Sequence, residues 1–186
     1  MIFVVYPLYR VTVGFVLTSY GVGFLGFGVL FNALGWFLVA SGLSAMKRSI
    51  GPVFGRAYAS ALVTWAFSFV WFVEFTEFDW LAESTQGEVI VVLNQLSVLA
   101  TIWLVAEGII VRASSFGDTS TASSFDVLRR TAVGCSLAVL LLGYIPELKE
   151  LGLLLAIVWF VGITCFIINL YRSARLPYLS RAEQVT

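Results

Sequence analysis

From Val11 to Met46 the chain carries no charged side chain; Arg10 and Lys47 bound the run. As one helix this stretch would be about 54 Å long, against a hydrocarbon core of about 30 Å. It therefore has to break, and Gly21, Gly23, Gly26 and Gly28 mark the expected turn. Pro7 suits the first turn of the opening helix, where its missing N–H costs nothing. The pattern predicts helix 1 near 6–22 and helix 2 near 28–46.

The rest of the chain repeats the theme. Apolar runs predict helix 3 near 56–74, helix 4 near 88–111 and helix 6 near 150–172. Ser124 or Asp126 is the expected cap of helix 5, which ends before Pro146. Of the 186 residues, 60% are hydrophobic and 12% charged, half the charge of an ordinary soluble domain, which is about 25%. The expected fold is all-α, an integral membrane bundle of six transmembrane helices. They form three hairpins, 6–46, 56–111 and 126–172, with a cytoplasmic tail at 173–186. The alternative is five helices, with one long tilted first span and an external N-terminus.

Charge sets the orientation. Lys47, Arg48, Arg56, Arg112, Arg129, Arg130 and Arg172 fall on one side of the six-helix topology, while the 74–88 connection is acidic throughout. Positive-inside logic then places both termini in the cytoplasm. The expected location is a prokaryotic plasma membrane, and the N-terminus shows no charged n-region or cleavage site of a removable signal peptide.

Several chemistries are excluded by residue type. There is no histidine, which removes His-ligated metals and Ser–His or Cys–His nucleophiles. Cys135 and Cys165 each lie inside an apolar run and read as small buried residues. Eleven basic residues balance eleven acidic ones, so no basic excess exists for nucleic acid. No catalytic residue, metal site or cofactor is expected, and the chain is read as a non-enzyme.

Three features could carry function. Glu107 lies about 7 Å inside the apolar run that Arg112 closes, and an intramembrane carboxylate is either a site or a paired charge. Arg10, Arg56 and Arg130 are its expected partners. Ser60, Thr64 and Ser68 follow Arg56 at i+4 steps, and Asn94, Ser97, Thr101 and Gly108 answer from helix 4. The stripe reads either as interhelical hydrogen bonding or as a narrow polar path. Glu74, Glu77, Asp79 and Trp80, in the segment WFVEFTEFDWLAESTQGE, form either an outer docking surface or an aromatic belt.

The Ser/Thr-rich stretch 113–126 reads as a flexible linker, and the arginines of the tail as contacts to anionic headgroups. Gly14, Gly21, Gly28, Gly35 and Gly42 recur every seven residues. They line either an oligomer seam or a close approach of helices 1 and 2.

The three hairpins also look alike. A basic residue precedes a small one by four positions at Arg10/Gly14, Arg56/Ser60 and Arg130/Gly134. A tryptophan precedes a glycine in WFLVASG, WLVAEG and WFVG. The Gly14-to-Gly42 region, with ALGWFLVASG and its two later copies, resembles the HdeD-type family of small bacterial membrane proteins. That resemblance covers most of the chain and implies a six-helix membrane fold and an association with acid resistance. The expected function is a non-catalytic membrane protein, an accessory or interaction subunit or a self-associating bundle. Its partners are the bilayer and another membrane protein or a second copy. The alternative is a small transporter or ion channel using Glu107 and the helix 3/helix 4 stripe.

Overall fold

A computed structural model describes residues 6–20, 28–77, 85–142 and 149–180, and among them finds six α-helices and no strand. These are α1 (Pro7–Tyr20), α2 (Gly28–Ser49), α3 (Gly55–Glu77), α4 (Thr85–Ser115), α5 (Thr119–Leu142) and α6 (Lys149–Ser173). A single 3-10 turn, Pro52–Phe54, joins α2 to α3. It follows Gly51, whose φ of 147° is open to glycine and strained for other residues.

Each helix packs on its sequence neighbours, and α6 returns to α1, so the six close into a circuit. Separate, antiparallel α1 and α2 replace the single tilted span of the five-helix alternative: Gly14 faces Gly35 and Val39, while Gly42 faces Pro7 and Val11. The glycine turn expected near 21–28 lies outside the described residues up to Gly28.

The core runs through the half of the bundle where the basic residues gather. Phe15 of α1, Phe125 of α5 and Phe166 of α6 are buried, and Phe166 meets the other two edge-on at 5.8 Å each. Trp36 of α2 continues the row against Phe15 at 5.7 Å. Edge-to-face rings at these spacings are favourable beyond the area they bury. The closure of α6 on α1 is completed by a Tyr20–Thr164 hydroxyl contact of 2.6 Å and by Tyr9 against Tyr171 at 5.2 Å.

Membrane-crossing character is uneven around the circuit. Among the described residues three helices are long and apolar enough to cross: α2 over Leu30–Ser49, α4 over Val89–Ser115 and α6 over Leu154–Ser173. The expected count was six. Helix α1 is described over 14 residues, Pro7–Tyr20, about 21 Å. In α5 the charges of Asp126, Arg129 and Arg130 separate the polar start, Thr119–Phe125, from the apolar stretch that begins after Thr131.

One expected linker is mostly helix. Residues 113–115 finish α4, and after a turn at Phe116–Asp118 helix α5 has begun by Thr119. Gly117 takes a φ of 76°, the left-handed conformation that lets α4 stop. Asp118 is the cap: its Oδ1 accepts the Thr121 backbone N–H at 3.0 Å and its Oδ2 the Thr121 hydroxyl at 2.7 Å. The expected cap Asp126 sits two turns into the helix and has a different task.

Candidate functional site

The hydroxyl stripe is the best-defined constellation. Thr64, Ser68 and Thr101 are fully buried at the α3–α4 contact. Ser60 Oγ meets Thr101 Oγ1 at 2.9 Å and Ser97 O at 3.3 Å, and Thr64 Oγ1 meets Thr101 Oγ1 at 3.3 Å. Thr64, Ser68 and Thr101 each also donate to the carbonyl four residues back, a habit of hydroxyls in apolar helices. Ser97 donates to Asn94 O at 2.8 Å. Ser60, Thr64, Ser97 and Thr101 thus meet across the two helices, while Ser68 bonds only within its own helix.

Asn94 ends the stripe differently. Its Oδ1 is buried and finds no hydrogen-bond partner among the described residues. A buried acceptor without a donor costs about 1–3 kcal/mol, whereas an apolar residue of similar shape there is nearly neutral. Asn94→Leu is therefore expected to raise the unfolding midpoint in detergent, while Thr101→Val lowers it by removing the hydroxyl that Ser60 and Thr64 share across the two helices, leaving Ser60 only Ser97 O and Thr64 only Ser60 O.

Glu107 is half-buried on α4, and no ion pair joins it to Arg10, Arg56 or Arg130. The arginines have other surroundings. Arg129 and Arg130 both bind Asp126, through Arg129 Nη2 to Oδ1 at 2.6 Å and Arg130 Nη2 to Oδ2 at 2.9 Å. This i+3/i+4 pairing needs nothing but the helix itself to bring the three side chains together. Arg56 is exposed and Arg10 half-buried. Arg129 also lies 4.3 Å over the ring of Trp103, one turn from Glu107 on the same helix face. The expected Glu107–arginine pair is thus replaced by an Asp126–Arg129–Trp103 bridge from α5 to α4.

The C-terminal segment forms a clasp that sequence reasoning missed. After α6, residues 174–180 turn back, with Ala174 and Leu179 buried. Tyr178 stacks on Phe116 at 5.1 Å and donates its hydroxyl to Asp118 Oδ2 at 2.8 Å. Arg112 lies over Phe116 at 4.7 Å and donates Nε–H to Tyr178 O at 3.4 Å. The tail is therefore fastened to the α4–α5 turn over 174–180, where a free polar tail was expected. The signal was the apolar island LPYL amid polar residues.

Titration acts on this clasp from both sides. Hydrogen bonds from the Thr121 backbone and side chain, with that from Tyr178, hold the Asp118 carboxyl below its usual range. Burial, with the Asp118 hydrogen bond, pushes Tyr178 up to about 12. Asp118 therefore stabilises the fold above the ordinary carboxylate pKa, and this contribution is lost as pH falls through its depressed value. Tyr178 contributes below the ordinary tyrosine pKa, a contribution lost as pH rises toward 12. A spin label at Ser180 is expected to become mobile at both extremes and to be mobile at neutral pH in Asp118→Ala. A signal flat with pH and unchanged in that variant would refute the clasp.

The outer candidates Glu74, Glu77, Asp79 and Trp80 lie outside the residues whose side chains are described. Among the described residues no group of His, Cys, Asp and Glu is placed to hold a metal ion. No protein-family model, curated protein or solved structure matches the chain.

Proposed function

We propose that the chain is a non-catalytic integral membrane protein that acts by contact, as an accessory subunit of a larger complex or as a self-associating bundle. In this reading all six helices cross the bilayer, as three hairpins with both termini in the cytoplasm. The spans of α2, α4 and α6 support it, because each odd-numbered helix lies between or beside them. Helix α1 follows α2 at backbone contact and α3 is hydrogen-bonded to α4, so the apolar helices carry their partners through. An all-helical membrane bundle of this build also agrees with the HdeD-type resemblance.

The observation that carries the non-catalytic, non-conducting reading is the state of the α3–α4 stripe. Its hydroxyls bond to each other and to their own helix backbones, which leaves none to dehydrate and pass a solute. Native mass spectrometry of the protein extracted in mild detergent tests the reading. A stoichiometric second polypeptide or a homo-oligomer is the expected result. A monomer that conducts a cation in proteoliposomes, with flux lost in Glu107→Gln, would overturn it. One observation favours that second reading: Glu107 is half-buried and forms no ion pair among the described residues, as a cation or proton site would be.

A further inference from the structure

Away from the packed cationic half, α4, α5 and α6 enclose a half-open cavity of about 360 Å³. Val91, Val98 and Leu99 of α4, Val139 of α5, and Ala156 and Trp159 of α6 line it. Its size is within the range of small-molecule sites, about 300–1,000 Å³.

We propose that this groove holds one hydrocarbon chain of a membrane lipid, with the ester carbonyl of that lipid at Gln95. The inference rests on the membrane reading above. Three observations carry it. The first is shape: the α4 lining runs from Val91 to Ile102, about 16 Å along the helix axis, and α5 and α6 supply its other walls. That is a slot for an extended chain.

The second is medium. Every α4 and α6 residue of the lining falls inside the apolar spans Val89–Ser115 and Leu154–Ser173. An apolar cavity excludes water, and an empty one forfeits the dispersion contacts of its walls. At that depth the molecule at hand is a lipid tail.

The third is Gln95. It lines the groove, is exposed, and has no hydrogen bond among the described residues. An amide left bare in hydrocarbon is unfavourable. Gln95 lies six residues, about 9 Å, from Val89 in the N-terminal part of the α4 span, so its NH2 group can donate to the ester carbonyl of a lipid whose chain fills the slot below it. Ser136 is not available for this, since its hydroxyl donates to Ala132 O at 2.8 Å.

The glycines of the third hairpin leave more room around them than those of the first two. A Cβ on Gly42 would stand 2.7 Å from Pro7 O, and one on Gly108 2.6 Å from the Phe54 ring. The corresponding Gly162 would reach Thr131 Cγ2 only at 3.7 Å, and Gly134 has nothing within 4 Å.

The test uses the full chain in nanodiscs of phosphatidylcholine, doped with phosphatidylcholine carrying a diazirine at one chain terminus. Photolysis is expected to place adducts at Ile102 and Trp159, the deep end of the slot, in preference to the outward-facing Leu154, Ile157 and Val161. Ala156→Trp fills the slot and is expected to cut this adduct about tenfold, the equivalent of losing two buried methylenes. Gln95→Leu leaves the slot open but removes the anchor, so adducts should spread along it; this variant keeps the test informative if Ala156→Trp does not fold. Even labelling of the outward face, or an undiminished adduct in folded Ala156→Trp, would overturn the proposal and leave the membrane reading standing. Failure of the chain to enter nanodiscs would overturn both.

Discussion

Phe54→Ala is expected to destabilise the bundle by about 3–5 kcal/mol, the cost of emptying a buried aromatic site. Phe54 is fully buried although it belongs to a three-residue turn. From that turn its ring reaches α4 at Gly108, where a Cβ would stand 2.6 Å from Cε1 and 2.8 Å from Cδ1. The ring thus ties the α2–α3 connection to α4, and neighbouring helices cannot close the hole without dragging that connection with them. Gly108→Ala should also destabilise, by about 1–3 kcal/mol, through overpacking. The two effects share one contact and should not add: Gly108→Ala in a Phe54→Leu background is expected to cost less than in the wild type. Unfolding in mixed micelles, followed by circular dichroism for the four variants, measures this. Strict additivity would mean that the ring and the glycine do not support each other.

Phe54 also shows where sequence reading stops. The six helices were legible because uncharged runs bounded by glycine and charge specify both periods and ends. The observed ends of α2 at 49 and α6 at 173 lie within a few residues of the expected 46 and 172. The pairing of Ser60 and Thr64 with Thr101 was legible too, since i+4 spacing fixes a face and short connections make α3 and α4 neighbours. GPVFG, by contrast, reads as a turn and nothing in it says where the ring points. The start of α5 was missed because seven Ser and Thr within 113–126 look like a linker, whereas one carboxylate at Asp118 is enough to cap a helix of 24 residues. For Glu107 the sequence offered Arg10, Arg56 and Arg130 as partners, and nothing in the spacing said that Asp126 would occupy Arg130 on its own helix.

Gly14→Val is expected to cost about 3 kcal/mol, the upper part of the overpacking range, and to split the first hairpin. A Cβ at Gly14 would stand 2.5 Å from Gly35 O and 2.8 Å from Val39 N. Both are backbone atoms, so no rotamer change can relieve the clash and α1 must move off α2. Lipid tails are as apolar as the helix surfaces, so helices in a bilayer associate through close contact, and a forced separation of the backbones removes that contact along the whole seam. Gly35→Val should act alike, since its Cβ would meet Gly14 O at 2.7 Å. Gly134→Ala provides the opposite case. It too is a glycine in a helix of the same bundle, but nothing lies within 4 Å of its Cβ position. There alanine is expected to be neutral or to stabilise by up to about 1 kcal/mol through helix propensity. Unfolding midpoints and the oligomeric state, measured together for these three variants, separate the two meanings of a glycine heptad. A seam inside one chain predicts a large loss of stability in Gly14→Val and in Gly35→Val. A seam between copies predicts dissociation of an oligomer with the fold of each chain unharmed. The backbone distances favour the first, because the atoms that a side chain would strike belong to the other helix of the same hairpin.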